Sequence, residues 1–114
     1  MKECIFCKIV KGEVPSTQVF ADENVVAFRD LNPQAPTHVL VIPRKHIEST
    51  NHLAPEDDAL VGRVHRAAAK IAGELGIGRS GYRLVLNCGR EAGQSVFHLH
   101  YHLLGGRPLA WPPG

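Results

Sequence analysis

From His98 to Leu103 this chain alternates histidine with a large apolar residue: His98-Leu99-His100-Tyr101-His102-Leu103. A side-chain period of two belongs to a β-strand, where successive residues point to opposite faces of a sheet. The run therefore predicts a strand over residues 96–104. Leu99, Tyr101 and Leu103 would face a core, and the three histidines would share the other face. Same-face neighbours stand roughly 7 Å apart along a strand. That separation is too long for hydrogen bonds between the rings, but it suits a phosphate-sized group lying between them. Three of the chain's seven histidines lie on this one stripe.

The remaining patterns give that strand its neighbours. Residues 4–11 read as one or two helical turns closed by Gly12 and Pro15. Residues 18–21 and 25–30 read as strands joined at Asp22-Glu23-Asn24, residue types that favour turns. The prolines of Asn32-Pro33-Gln34-Ala35-Pro36 break ladder pairing and mark a loop. Residues 37–43 follow as a strand whose near-continuous aliphatic character predicts burial on both faces. One long helix begins at Pro55, with Glu56, Asp57 and Asp58 at the positive end of its dipole. Its apolar stripe runs through Leu60, Val64, Ala67, Ala68, Ile71 and Leu75, and Gly76 caps it. A strand over 82–88 and a loop over 89–95 lead into the histidine strand. Strands, one helix, then more strands predict an α+β domain with a mainly antiparallel sheet and the helix on one face. At 114 residues the chain makes one domain, residues 1–114.

A formal net charge of +2, with no lysine or arginine run, suits a small anion better than a nucleic-acid duplex. The first residues lack the apolar stretch of a signal peptide, and the longest aliphatic run, Val39-Leu40-Val41-Ile42, is far short of a membrane span. Three cysteines, two of them as Cys4-x-x-Cys7, suit a reducing compartment. The expectation is a cytoplasmic protein without membrane or nucleic-acid partners.

The histidine stripe admits three chemistries. It could be an incidentally polar strand, it could hold a catalytic metal on two or three imidazoles, or it could supply a nucleophile toward phosphorus. The third also accounts for the flanking residues. A neutral imidazole attacks phosphorus and its adduct is hydrolysed later, dividing one displacement into two. Upstream, Gly93-Gln94-Ser95 can turn successive N–H groups toward an anion, and the Ser95 hydroxyl can donate to the leaving group.

The run His98 to Leu104, preceded by Gly93-Gln94-Ser95-Val96, resembles the histidine triad superfamily, specifically its Hint branch. Residues 28–38, the stretch Pro43-Arg44-Lys45-His46-Ile47, Gly105-Gly106-Arg107 and the terminal Trp111-Pro112-Pro113-Gly114 are similar to that branch as well. The resemblance implies a roughly five-stranded antiparallel sheet with one long and one short helix. It also implies a homodimer in which each C-terminal tail lies near the partner's site. The implied reaction is hydrolysis of purine nucleoside 5′-phosphoramidates and related adenylates through a nucleotidyl-histidine, with no catalytic metal or organic cofactor.

By the same resemblance His100 is the nucleophile, and His102 contacts phosphate. Asn87, Gly93, Gln94 and Ser95 are phosphate and leaving-group contacts. Asp30 binds both ribose hydroxyls, and His38 assists proton transfer. Ile5, Phe6, Phe28 and Leu31 form an apolar purine slot, although an ordinary core position would look the same. Trp111 shapes the partner's site, or else anchors its own tail by packing. A nucleotide-binding scaffold with incidental activity and a dinucleoside polyphosphate hydrolase are the competing functions.

Cys4-x-x-Cys7 supplies two ligands of a tetrahedral zinc site and needs two more. His46 and His98 are the candidates, and some Hint-branch members hold zinc at these four positions. On that reading the zinc is structural. A redox dithiol and two plain thiols are the alternatives. Cys88 reads as a buried apolar residue, and His52 and His65 as surface residues.

Overall fold

The structure is a computed structural model that describes residues 4–114. A short helix α1 (Ile5–Val10) precedes three strands, β1 (Gln18–Ala21), β2 (Val25–Arg29) and β3 (Thr37–Pro43). Two single 3-10 turns lead into the long helix α2 (Asp58–Glu74), followed by β4 (Tyr82–Leu86) and β5 (Tyr101–Gly105). The five strands form one antiparallel sheet in the order β1-β2-β3-β5-β4. The architecture is the α+β arrangement that the patterns predict. The strand that carries His102, β5, lies inside the sheet between β3 and β4 rather than at an edge.

Each face of the sheet has its own cover. On one face α2 lays Val64, Ala67, Ala68, Ile71 and Ala72 against Val25, Ala27, Val39, Val41, Leu99, Tyr101 and Leu103. Burying a side chain such as Val64 or Ile71, both about 1% exposed, contributes roughly 1.5–3 kcal/mol each. On the other face the short α1 sets Phe6 against Val26, Phe28, Leu40 and Ile42. All seven residues of β3 are buried, as a strand covered on both faces requires. Gly76 has φ +80 just past the end of α2, the left-handed conformation that glycine adopts without strain.

The helix starts one turn later than its prolines and acids suggest. Pro55–Asp57 form a 3-10 turn, and the α-helix begins at Asp58. The Asp57 carboxylate accepts from the Ala54 N–H at 2.9 Å and from Lys45 Nζ at 2.6 Å, tying the helix start to the chain leaving β3. Strand limits differ too: β2 stops at Arg29, leaving Asp30 outside, and β4 stops at Leu86, leaving Asn87 and Cys88 outside. Cys88 is half-buried rather than buried. Among the described residues, no helix is long and apolar enough to cross a membrane.

Candidate active site

The prediction of one strand over residues 96–104 needs correction. Only Tyr101–Gly105 joins the ladder, and His98 and His100 lie on the irregular segment that enters it. Alternation survives without the strand. Leu99, Tyr101 and Leu103 still enter the α2-side core, and the histidines still turn to the α1 face. Leaving the ladder brings the rings closer than strand spacing would, with the centroids of His100 and His102 5.1 Å apart. It also frees the His98 carbonyl to accept a hydrogen bond from His100 Nδ1 at 2.7 Å.

That bond sets the chemistry of His100. A carbonyl can only accept, so Nδ1 carries the proton, and in the neutral ring Nε2 holds a lone pair. The ring is 6% exposed, with the edge of Phe6 packed on it at a centroid distance of 5.1 Å.

A second set of bonds fixes His102 in the opposite sense. The Gln34 N–H donates to His38 Nδ1 at 3.0 Å, so His38 carries its proton on Nε2. His38 Nε2–H in turn donates to His102 Nδ1 at 2.9 Å, with Asp30 Oδ2 also 3.4 Å from the same nitrogen. His102 therefore presents Nε2–H as a donor. Cross-strand register explains the meeting: Leu40 opposes His102 and His38 opposes Leu104, so the two histidines are diagonal neighbours on one face. Burial lowers the pKa of His38 against the pull of Asp30. His102 is pushed down to about 4, chiefly by burial and then by the neighbouring His100 and His38. Both rings are neutral at pH 7. Asp30, His38 and His102 also lie close enough to hold a metal ion, but the His38 Nε2–H that donates to His102 Nδ1 occupies the lone pair a cation would need.

Beside this relay lies an apolar pocket of about 250 Å³. Its walls include Ile5, Phe6, Phe28, Leu31 and Asp30, so the structure brings the residues of the expected purine slot together with the expected ribose carboxylate. Phe6 and Phe28 also pack on each other in the smaller core, while Leu31 is 98% exposed. Val14, Pro15 and Ser16 line the same pocket and were missed. They sit in an aperiodic loop, and only the glycine and proline that end α1 hinted at a turn there. Ser95 lies on a second, wider cavity of about 580 Å³ with Ile5, Val96, Phe97 and Glu48.

Two of the three amides expected to form a nest at Gly93-Gln94-Ser95 are engaged elsewhere. The Gly93 N–H donates to Arg90 O at 3.0 Å and the Gln94 N–H to Gly89 O at 3.1 Å, because the tight turn closes on itself. Gly93, with φ +89, makes that turn possible. The Gln94 side chain is buried. It accepts from the Gly89 N–H and donates to the Glu48 and Val96 carbonyls, so it builds the loop that carries Ser95. Asn87 follows the end of β4 and is half-buried.

Cys4, Cys7, His46 and His98 converge from three places in the chain, their ligand atoms all within 4.8 Å of one another. Cys4 Sγ and Cys7 Sγ lie 3.4 and 3.6 Å from His98 Nδ1. His46 Nδ1 lies 3.4 Å from Cys7 Sγ and 3.2 Å from His98 Nδ1. Metal–ligand bonds of about 2.0–2.3 Å give a tetrahedron with edges of roughly 3.3–3.8 Å, so the set fits zinc. His98 is in the right tautomer, because its Nε2–H donates to the Pro43 carbonyl at 2.9 Å and leaves Nδ1 to the centre. Burial and the Cys4 sulfur push the Cys7 thiol above its ordinary value, a penalty that a dication would remove.

Three expected outliers resolve simply. His65 is exposed, with its ring against Tyr101. His52 is exposed and bonded to Ser49 and Glu48. Trp111 is 79% exposed, so it does not anchor the tail by packing within its own chain. The tail is held instead by the Arg83 guanidinium, which donates to the Leu109 and Ala110 carbonyls.

Known proteins resemble this chain over nearly its whole length. The family model described as scavenger mRNA decapping enzyme C-term binding matches residues 3–108. A purine nucleoside phosphoramidase of Escherichia coli is 51% identical over 108 residues, 95% of this chain and 91% of that protein. An uncharacterized HIT-like protein of Synechocystis is 50% identical over 99% of this chain and 98% of its own length. Among solved structures, a HIT family hydrolase of Legionella pneumophila superposes with a TM-score of 0.97 at 51% identity, covering 98% of this chain and 100% of that one.

Proposed function

The chain belongs to the histidine triad family, and from that premise we propose that it hydrolyses purine nucleoside 5′-phosphoramidates through a nucleotidyl-His100 intermediate. One observation carries the reading: the 2.7 Å bond from His100 Nδ1–H to the His98 carbonyl, which leaves the Nε2 lone pair as the attacking group.

The base enters the apolar pocket between Phe6, Phe28 and Leu31, and Asp30 receives the ribose hydroxyls. Asp30 Oδ1 accepts the Asn32 N–H at 2.8 Å, which fixes the carboxylate's direction. The α-phosphate then lies before His100 and His102. As His100 Nε2 forms its bond to phosphorus, the phosphorus–nitrogen bond of the substrate breaks and the amine leaves, taking a proton that the Ser95 hydroxyl relays from solvent. The ring becomes an imidazolium whose Nδ1–H remains on the His98 carbonyl, a dipole already oriented toward the developing positive charge. His102 Nε2–H faces the phosphoryl oxygens as a neutral donor. Water then attacks phosphorus and gives up a proton to solvent, the bond to His100 breaks, and the lone pair returns to Nε2 as nucleoside monophosphate departs.

The E. coli relative named for this activity supports the substrate class. The Cys4–Cys7–His46–His98 centre holds zinc in this reading. β4 ends the strand order with one unpaired side, and Trp111 projects from the body. Both features support a homodimer whose sheets join and whose tails reach the partner's site. We place the protein in the cytoplasm.

His100→Ala tests the proposal. Turnover of adenosine 5′-phosphoramidate is abolished, while nucleoside monophosphate binding is retained. Full activity in that variant sinks the assignment. Faster turnover of a diadenosine polyphosphate than of the phosphoramidate would assign the chain to a different substrate class.

A further inference from the structure

Ile5 lines two cavities: the apolar pocket of about 250 Å³ that takes the base, and the wider one of about 580 Å³ that also holds Ser95 and Glu48. In the reaction proposed above Ser95 relays a proton to the departing amine, so the amine leaves on the side of the wider cavity. Among the described residues Glu48 is the one carboxylate on that wall, and no lysine or arginine lines it. We propose that Glu48 selects the leaving group, favouring the phosphoramidate of an amine whose aliphatic chain ends in a second, positively charged amine. The inference rests on the hydrolase reading and names the leaving-group side of its substrate class.

Backbone bonding holds the carboxylate and the serine to one cavity. The Leu99 N–H donates to Ile47 O at 2.6 Å, and Gln94 Nε2 donates to Glu48 O at 2.7 Å and to Val96 O at 3.2 Å. The segment that carries Glu48 is thereby clamped along the segment that carries Ser95. The Glu48 side chain is steered without losing its charge. His52 Nε2 lies 3.2 Å from its Oε2 and, since a carboxylate only accepts, presents its N–H there. The Ser49 hydroxyl, 2.7 Å from His52 Nδ1, donates to that nitrogen in the neutral ring. Lys45, the nearest basic residue in sequence, is committed to Asp57 at 2.6 Å. Zinc at Cys4 and His46 would add no net charge to the same wall, because two thiolates balance a dication. Ile5 and Phe97, 44% and 54% exposed, give the aliphatic stem an apolar surface, and the ammonium end stays at the wet Glu48 carboxylate.

The probes are the adenosine 5′-phosphoramidates of hexylamine and cadaverine, which differ in a terminal methyl against an ammonium. The expected kcat/KM is about 2- to 5-fold higher for the cadaverine derivative, the range of an ion pair in contact with water. The preference shrinks as salt rises to about 1 M, where charges are screened beyond about 3 Å. Glu48→Gln lowers the ratio of the two constants by the same factor, and Glu48→Lys lowers it further. A general loss of folding or activity cancels in this ratio, so a merely structural Glu48 would leave it unmoved. No preference in the wild-type protein, or a preference undiminished by Glu48→Gln, overturns the inference.

Calorimetric affinities of both compounds for His100→Ala protein, with and without Glu48→Gln, make the same comparison without turnover. The cadaverine derivative should bind more tightly by about 2- to 5-fold, and only where Glu48 is present. Failure of the wild-type protein to cleave either compound refutes the hydrolase reading. The affinities then decide the role of Glu48 alone: a preference lost with Glu48→Gln upholds it, and equal or unaltered affinities overturn it.

Discussion

Replacing Gln94 with leucine removes three hydrogen bonds while keeping a side chain of comparable bulk. The glutamine amide is 6% exposed, accepts from the Gly89 N–H at 2.9 Å, and donates to the Glu48 and Val96 carbonyls at 2.7 and 3.2 Å. At about 0.5–1.5 kcal/mol for each bond, the loss is roughly 1.5–4.5 kcal/mol, with the upper part reached if the orphaned groups stay dry. With a slope of about 1–3 kcal/mol per molar urea, the unfolding midpoint falls by about 1.5 M at mid-range values, within outer bounds of roughly 0.5 to 4.5 M. The assay is urea unfolding of zinc-saturated protein at fixed concentration, paired with AMP binding measured well below the midpoint. A glutamine acting as a nucleotide contact would lose affinity and keep its midpoint. That pattern, an unmoved midpoint with weakened AMP binding, refutes the assignment of Gln94 to the loop.

Other expectations follow from single residues. His102 titrates near 4 because burial disfavours its charged form, so a nuclear magnetic resonance titration placing its midpoint near the ordinary 6.5 would break the relay described here. An unfolded histidine takes up its proton near 6.5, above the folded value. Stability therefore falls as pH drops from about 6.5 toward 4 and is insensitive to this ring above that window; His102→Gln should flatten the corresponding slope in urea midpoints. Gly106→Ala forces a β-carbon into a backbone with φ +93, 2.9 Å from Pro36 Cβ. It should cost about 1–3 kcal/mol in urea unfolding, and a neutral result would show that the turn relaxes freely. Asp30→Ala should weaken AMP binding about 10- to 100-fold, as expected for lost hydrogen bonds to a charged group. It should also erase the wild-type preference for ribose over 2′-deoxyribose, and a preserved preference would remove Asp30 from the ribose site.

Much of the fold was legible because its signals are local. The stripe from Val64 to Leu75 and the alternation from Leu99 to Leu103 each reflect a repeat within one element, and both entered the core as read. Element limits were less legible. The histidine alternation extends past the strand because residues before Tyr101 keep their facing without ladder bonds, and facing is all that periodicity reports. The turn at Gly93 shows the same limit from the other side. Its composition fits an anion nest and a closed loop equally well, and the choice went to internal bonds with Arg90 and Gly89.

Residue types and their spacing alone determined an α+β domain, a histidine face opposite an apolar one, and a cysteine pair in need of two further ligands. Tertiary structure decided which nitrogen of His38, His98, His100 and His102 holds the proton. That choice depends on partners far along the chain: His102 is set by His38, 64 positions away, and His98 by Pro43, 55 positions away. An imidazole is symmetric enough to donate or accept at either nitrogen, so its identity in the sequence leaves its role open. The carbonyl or amide that folding brings within hydrogen-bonding distance settles it.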